Sequence, residues 1–239
     1  MVVLLLCVLL VSCADARFAS SGNVLVDNKT NIEYNVAPGC YEPVSLGKEV
    51  AKVDKGSYEK IYYQIGELSI NEWLTDNSYN VFYADGVKLP TFEEMMFNRI
   101  LVCEEYDQLV CINDITDSSL VSALIDGYNN GTPSKYMEFK ADEVLKLKFR
   151  SAIYPYLQYS LTYYEYTDGC FFEDTTDDIE NYKYLTNDEF VDITVDPNDD
   201  GTYTVRYDYG KYFIRNEADG TFVKVGEEVH EIIRGEIDD

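Results

Sequence analysis

Residues 157–170 read LQYSLTYYEYTDGC, and their side chains change character at every second position. A period of two is that of a β-strand whose two faces meet different surroundings. One face of this predicted strand carries Leu157, Tyr159, Leu161, Tyr163 and Glu165. The other face carries Gln158, Ser160, Thr162, Tyr164 and Tyr166. We therefore predict a strand here, followed by a hairpin turn at residues 167–169 that leads into Cys170.

The same alternation continues on either side of this strand. Residues 144–150 place Leu145, Leu147 and Phe149 inward and three basic side chains outward. Further hairpins are predicted between residues 191–195 and 202–207, and between residues 211–215 and 221–225. Roughly eight strands joined mostly by hairpins predict a mainly β chain, folded as a closed antiparallel barrel or a sandwich.

Helix signals are few and short. Capping-box patterns begin at Ser69, before Trp73 and Leu74, and again at Thr91. A third helix is predicted over residues 118–125 with Gly127 as its stop, and residues 229–234 suit either a last strand or a short helix. Residues 17–56 give a weak signal and are expected to be irregular.

The first residues are typical of a secretory signal peptide. Residues 2–12 are an unbroken apolar run, and Ala14-Asp15-Ala16 is a small-x-small cleavage pattern. The run is shorter than the roughly 20 residues that a membrane-spanning helix needs, so an uncleaved anchor is the less favoured alternative. We predict that residues 1–16 are removed and that residues 17–239 form a single secreted β-rich domain, in which the acidic segment 173–200 is a loop.

The cysteines and the glycosylation sequons are consistent with secretion. Removal of the signal leaves four cysteines, Cys40, Cys103, Cys111 and Cys170, an even number that suggests two disulfides with three possible pairings. A hairpin centred on Asp107 would place Cys103 opposite Cys111, which favours that pair and, by elimination, Cys40–Cys170. Asn28 and Asn130 each begin an Asn-x-Thr glycosylation sequon in a polar stretch.

Charge narrows the choice of partner. The 239 residues include 19 Lys or Arg and 44 Asp or Glu, for a formal net charge of −25. Nucleic acids and anionic membrane surfaces bind through basic patches, so neither is an expected partner. A cationic or neutral polar partner is favoured.

The sequence has few residues suited to catalysis or to metal binding. His230 is the only histidine, and the residue four positions after it is Arg234 rather than the second histidine of a zinc motif. Residues 196–201 resemble the opening of a calcium loop, but the twelfth position is Tyr207 where a bidentate Glu is needed. We therefore expect no catalytic residues, no bound metal and no cofactor.

The tyrosine-rich strand suggests a ligand. Glu165 shares its predicted face with Tyr159 and Tyr163, and a carboxylate framed by aromatic rings suits an ammonium group through charge and cation–π attraction. A buried carboxylate would need such a ligand or a basic neighbour. The alternative interpretation is that these tyrosines only pack as a barrel wall.

Two stretches resemble the tick salivary lipocalins. They are residues 72–77, EWLTDN, with Tyr79, Tyr83, Phe97 and Cys103 following, and the strand at 157–170. The resemblance spans about residues 69–175. It implies an eight-stranded lipocalin-like β-barrel that sequesters biogenic amines or lipid mediators, with Trp73 closing the barrel base and Glu165 lining the cavity.

The other hypotheses are a secreted immune or haemostasis modulator that binds a basic host protein through an acidic, Tyr-rich surface, and an acidic calcium buffer.

Overall fold

The computed structural model describes residues 17–21, 24–54, 59–107, 110–134, 140–177 and 192–236. More than half of the described residues lie in strands, the sheets are antiparallel, and one sheet curls into a half barrel. The prediction of a mainly β, antiparallel, lipocalin-like fold with a few short helices is confirmed. The predicted signal peptide lies outside the described residues.

The chain divides into two compact units, Met1–Glu94 with Pro155–Gln158 and Met95–Tyr154 with Tyr159–Asp239. The expectation that residues 17–239 act as one secreted domain stays a prediction.

A seven-stranded sheet forms the first unit, in the order β1-β2-β3-β8-β7-β6-β5. The strands of this unit, with β4 lying off that path, are β1 (Phe18–Ser21), β2 (Val24–Asp27), β3 (Ile32–Val36), β4 (Tyr41–Pro43), β5 (Leu46–Asp54), β6 (Glu59–Ile65), β7 (Trp73–Asp76) and β8 (Val81–Ala84). The expectation of an irregular stretch at residues 17–56 is therefore wrong. Strands of this unit form one core that includes Phe18, Leu25, Tyr34 and Phe82.

The second unit is built on strands in the order β10-β9-β12-β13-β15-β16-β11, with β14 paired to β15. These strands are β9 (Phe97–Glu104), β10 (Cys111–Ile115), β11 (Thr132–Ser134), β12 (Glu143–Ser151), β13 (Leu157–Thr176), β14 (Asp192–Pro197), β15 (Tyr203–Asn216) and β16 (Phe222–Lys224). The hairpins predicted from residue 191 onward are confirmed over the described residues by the β14–β15 and β15–β16 pairings.

Strand β13 does not turn at residues 167–169, so that prediction is wrong. It runs on to Thr176 because β15 offers a partner along its whole length. The register passes from Glu165 opposite Tyr212 to Cys170 opposite Gly210, so several extra residues of β13 are accommodated in a bulge. Gly169 has φ 79° in this bulge. The acidic segment 173–200, predicted as a loop, has strand structure at both described ends, and residues 178–191 lie outside the description.

Helix α1 (Ser118–Asn129) confirms the predicted helix but passes Gly127. Asp117 caps it by accepting hydrogen bonds from the amides of Ser119 and Leu120. A Cβ on Gly127 would lie 2.3 Å from a methyl carbon of Val229 in helix α2 (Glu227–Arg234). This glycine therefore allows close packing of the two helices rather than stopping α1, and the chain's last regular element is a helix.

The predicted helix that would carry Trp73 does not form. Residues after Ser69 make a single turn, closed by the Trp73 amide donating to the Ser69 carbonyl at 2.9 Å. Trp73–Asp76 is then strand β7, because all four of its residues are buried between neighbouring strands β6 and β8. At Thr91 the capping box does form, with reciprocal bonds to Glu94, but it too remains one turn.

The β13 bulge generates a test. We expect Gly169→Ala to lower the free energy of unfolding by about 1–2 kcal/mol, because an L side chain at positive φ meets a steric penalty of that size. Gly169→Asn should lower it by less, since Asn tolerates left-handed backbone. Urea unfolding of both variants measures the difference, and equal losses would show that the positive φ is not required.

Candidate functional site

The face of β13 that carries Tyr163 and Glu165 is covered by helix α2. The Tyr163 hydroxyl lies 2.8 Å from Nδ1 of His230, and the His230 ring stacks on Tyr212 with ring centroids 4.1 Å apart. The Tyr212 hydroxyl in turn donates to Glu227 at 3.1 Å. Two strands are thus joined to the helix by an aromatic stack with hydrogen bonds at its ends.

Arg234 neutralises Glu165. Its Nη2 lies 2.6 Å and its Nε 3.1 Å from the same Glu165 oxygen, and Nη2 also donates to Glu143 on β12. Only 12% of the Glu165 side chain and 22% of the Arg234 side chain remain exposed. Although burial alone would lower the pKa of Arg234, its bonds to Glu143 and Glu165 raise it, and the guanidinium stays charged. The positive partner that a buried carboxylate needs is therefore supplied by the chain itself.

Tyr163 is fully buried in this cluster. Burial, with the charge of Glu165 adding to it, raises the pKa of the Tyr163 phenol far above its ordinary value, so the hydroxyl stays protonated. Burial and the hydrogen bond to Glu227 raise the pKa of Tyr212 to about 12. Neither phenol is an acid or base near neutral pH.

The other two residues of the predicted ligand site lie in different surroundings. Tyr159 is buried, packs against Phe97 and exchanges hydrogen bonds with the Asn216 side chain at 3.2–3.4 Å. Trp73 belongs to the first unit, where it is buried in β7 beside Tyr83. The structure therefore brings Tyr163 and Glu165 together, and a ligand-binding role for the set of four stays a prediction.

The opposite face of the same sheet is basic. The Lys146 ammonium donates to the Thr162 hydroxyl at 2.9 Å, which places the alternate residues of β12 on the face of Ser160 and Thr162. Lys148 and Arg150 follow Lys146 at the strand period and are half-buried. Arg215 of β15 lies opposite Thr162 in the register. Four cationic side chains thus share one face of this sheet, in a chain that has only 19 lysines and arginines.

Glu217 bridges two of these bases. Its carboxylate oxygens lie 3.5 Å from Lys146 and 3.7 Å from Arg215, and it accepts a hydrogen bond from Thr162. It holds Lys146 and Arg215 at a fixed spacing across β12, β13 and β15.

Ser160 lies in the middle of this basic face with an unsatisfied hydroxyl. It is fully buried, and its oxygen has no hydrogen-bond partner among the described residues. Leaving a buried hydroxyl unpaired costs roughly 1–3 kcal/mol, and native proteins rarely tolerate it without a function or a bound molecule. The orphan hydroxyl marks a position that a ligand oxygen can satisfy.

Aromatic side chains border the basic face. Tyr166, Phe213 and Phe222 form a buried cluster with Tyr164 packed against it, and the Arg215 guanidinium lies 5.5 Å from the centre of the Phe222 ring. The register pairs Tyr164 with Phe213 and Thr162 with Arg215, so aromatic and basic positions are neighbours along β15. Cations beside apolar rings suit a molecule with an anionic end and an apolar body.

Residues of α2 contact Tyr163 and Glu165, and the sequence-based choice of that face for a ligand stays a prediction. The signal for the basic face was present, because residues 144–150 already placed three bases on one side of a strand and 158–162 placed three uncharged polar residues on one side of the next. The partners of Glu165 and Tyr163 come from α2, which lies about 70 positions further along the chain and was not linked to them by any local pattern.

The predicted extracellular features occupy suitable positions. Cys103 and Cys111 are register partners across β9 and β10, and both are thiols in this structure. Asn28 and Asn130 are exposed, the first beside strand β2 and the second at the end of α1. Cys40 is buried, and the Cys170 side chain lies outside the description, so Cys40–Cys170 stays a prediction.

The described residues contain no group of three or more His, Cys, Asp or Glu side chains placed to hold a metal ion. Nor does any helix among them have the length and apolar composition to span a membrane.

We expect Arg234→Met to lower the free energy of unfolding by about 2 kcal/mol. Breaking a buried ion pair costs roughly 3–5 kcal/mol, and the residual exposure of Glu165 and Arg234 reduces that figure. Adding Glu165→Gln should restore part of the loss, because it removes the stranded charge. Urea unfolding measures both, with Arg99→Met as control: Arg99 pairs with Asp114 at the surface, where a pair contributes under about 1 kcal/mol. Equal losses in R234M and R99M would contradict the central role of Arg234.

Comparison of the chain with protein-family models, with curated proteins and with solved structures finds no match. No relative therefore assigns a role to any of these residues, and the resemblance to the tick salivary lipocalins stays a prediction. The function has to be argued from the two faces of the β12–β13–β15 sheet.

Proposed function

We propose that this protein is a secreted, lipocalin-like ligand-binding protein that sequesters small amphipathic anions of the lipid-mediator type. The observation that carries the proposal is the basic face, where Lys146, Lys148, Arg150 and Arg215 lie on the same side of the sheet as the orphan hydroxyl of Ser160. Lysine and arginine hold carboxylates through charge-assisted hydrogen bonds, which are roughly twice as strong as neutral ones. The neighbouring Tyr164, Phe213 and Phe222 suit the apolar part of such a ligand.

The amine alternative of the original hypothesis has less support. It required Glu165 to present an uncompensated negative charge among tyrosines. Arg234 already occupies that carboxylate at 2.6 Å, and His230 lies 3.8 Å from it. An ammonium ligand would have to displace a guanidinium that donates to this carboxylate through both Nη2 and Nε, so this face gives an amine little support.

The negative net charge does not oppose an anionic ligand at short range. At physiological ionic strength the Debye length is about 8 Å, so distant surface carboxylates are screened. Half-buried bases within hydrogen-bond reach of the ligand are screened much less. The acidic surface slows the approach of an anion, while the local bases set how tightly it is held.

Titration calorimetry with arachidonate, its primary alcohol, histamine and serotonin tests the proposal. We expect arachidonate to bind, the alcohol to bind about tenfold more weakly because one charge-assisted bond is lost, and the amines not to bind. Binding of an amine without binding of arachidonate would overturn the proposed ligand class.

Ser160→Ala separates a ligand contact from a structural role. Removing an orphan hydroxyl should leave the unliganded stability unchanged or raise it, while arachidonate affinity falls about three- to tenfold. Lys148→Met should lower affinity by a similar factor. Lys211→Met, at an exposed position of β15, is the matched control and should bind as the parent does. A lower unliganded stability in S160A with unchanged affinity would contradict the site.

Secretion is part of the proposal, and the Cys103–Cys111 pair supports it. The Glu104 amide donates to the Val110 carbonyl at 3.1 Å, so the adjacent pair of Cys103 and Cys111 is at a non-hydrogen-bonded position. Such positions hold Cα atoms about 4.5 Å apart, at the short end of the disulfide range of about 4.4–6.8 Å. An oxidising compartment would join the two thiols with little movement of the backbone.

We expect protein secreted from insect cells to begin at Arg17 and to contain this disulfide. Cleavage after Glu104 or Glu105 separates the two cysteines, so a Glu-specific protease should give two peptides that stay linked until they are reduced. Cys103→Ser should abolish the link. Mass spectrometry measures both, and unlinked peptides from secreted parent protein would contradict the pairing.

A further inference from the structure

The first unit contains a cavity that is separate from the basic face. Its volume is about 210 Å³. It is lined by Ser20, Val24, Leu25, Val36, Lys60, Tyr62, Asn80 and Phe82. Leu25, Tyr62 and Phe82 are buried, whereas Val36 and Asn80 are exposed, so the cavity has an apolar floor and an accessible mouth.

One buried carboxylate organises the polar side of this cavity. Asp76 is fully buried and lies 2.9 Å from the Lys60 ammonium. It also accepts hydrogen bonds from the Asn80 amide nitrogen at 3.0 Å and from the Asn80 side-chain nitrogen at 3.0 and 3.1 Å. The Ser78 amide adds a further bond at 2.9 Å. The turn between β7 and β8 is thereby fixed, with Tyr79 in left-handed backbone at φ 63°.

The chemistry of Asp76 determines which atoms of its partners remain for a ligand. An ionised carboxylate only accepts hydrogen bonds, so the side-chain nitrogen of Asn80 must face it and the carbonyl Oδ1 must point away. Lys60 has three N–H groups and one lies toward Asp76, so it keeps donors for another acceptor. The polar side of the cavity therefore offers one acceptor and one donor, from two side chains held by the same carboxylate.

We propose that this cavity binds a small molecule with one ring, or an apolar body of similar size, that carries a primary carboxamide. The carboxamide C=O accepts from Lys60, and its N–H donates to Asn80 Oδ1. An ammonium group is repelled by Lys60, and a carboxylate sets an anionic oxygen against the Asn80 carbonyl. Asp76 is the positioning residue, because it orients both groups without reaching the ligand.

The volume of the cavity also favours a small ligand. Sites for drug-sized molecules occupy roughly 300–1,000 Å³, so a cavity of about 210 Å³ suits a smaller body. Tyr62 and Phe82 contact each other edge to face, with centroids 5.8 Å apart, and the Lys60 ammonium lies 5.7 and 5.4 Å from their ring centres. A ligand therefore packs beside this group rather than between the two rings. This site and the basic face lie in different units, and either proposal can hold without the other.

NMR chemical-shift titration of the whole protein with phenylacetamide, phenylacetate and phenethylamine tests the inference. We expect phenylacetamide to bind tightest and phenethylamine at least about tenfold more weakly, since its ammonium can donate to Asn80 but is repelled by Lys60 and leaves that donor without an acceptor. Shifts should be confined to the residues that line the cavity. Equal affinity for the amide and the amine, or shifts elsewhere only, would overturn the proposal.

Variants at the mouth and at the polar side complete the test. Val36→Trp and Ser20→Phe should each reduce phenylacetamide affinity about tenfold or more by filling the mouth from two different strands. Lys60→Met should reduce it about fivefold by removing the donor. Lys52→Met is the matched control, because Lys52 is exposed on the same sheet and pairs with Glu59 outside the cavity. Unchanged affinity in both mouth variants, with unchanged melting temperatures, would refute the site.

Discussion

The ion pair between Arg234 and Glu165 fixes helix α2 on one face of the second sheet. A carboxylate among aromatic rings is unfavourable unless a positive group accompanies it, and that group is either a ligand or a residue of the chain. Here it is an arginine at the end of α2, which brings the helix down on Tyr163 and Glu165. With that face covered, the polar and basic residues that alternate with it are the ones for which we propose ligand binding.

In the first unit, too, buried carboxylates are paired with basic side chains. Asp27 and Asp76 are both fully buried, and each is paired with a base, Arg17 in one case and Lys60 in the other. At Asp27 the pair is part of the packed core. At Asp76 the base, Lys60, and the neighbouring Asn80 side chain lie at the edge of a cavity. The hydrogen bonds that satisfy this buried charge therefore also set which donor and acceptor groups face the cavity.

Local patterns predicted strands of the second unit, and long-range contacts explain the failures in the first. The period of two identified β12 and β13, and a short hairpin was enough to place Cys103 opposite Cys111. Most strands between residues 17 and 54 have only three to five residues, too few to show a period, and two of the strands in this stretch pair with β6 and β8, which lie further along the chain. The bulge at Gly169 resembled a turn because Asp-Gly is favoured in both, and only the length of β15 decides between them.

The choice between the two faces of β13 could not be made from the strand itself, because alternation divides residues into two sets without saying which set is covered. An acidic residue among tyrosines attracted the functional interpretation, while bases in an acidic protein appeared to be solvent-facing. The burial and hydrogen bonding of these side chains favour the basic face instead. Arg234 satisfies Glu165, whereas the Ser160 hydroxyl is buried with no partner among the described residues. An unsatisfied buried group calls for a partner outside the fold, such as a water, an ion or a ligand, and an attractive combination of residue types does not.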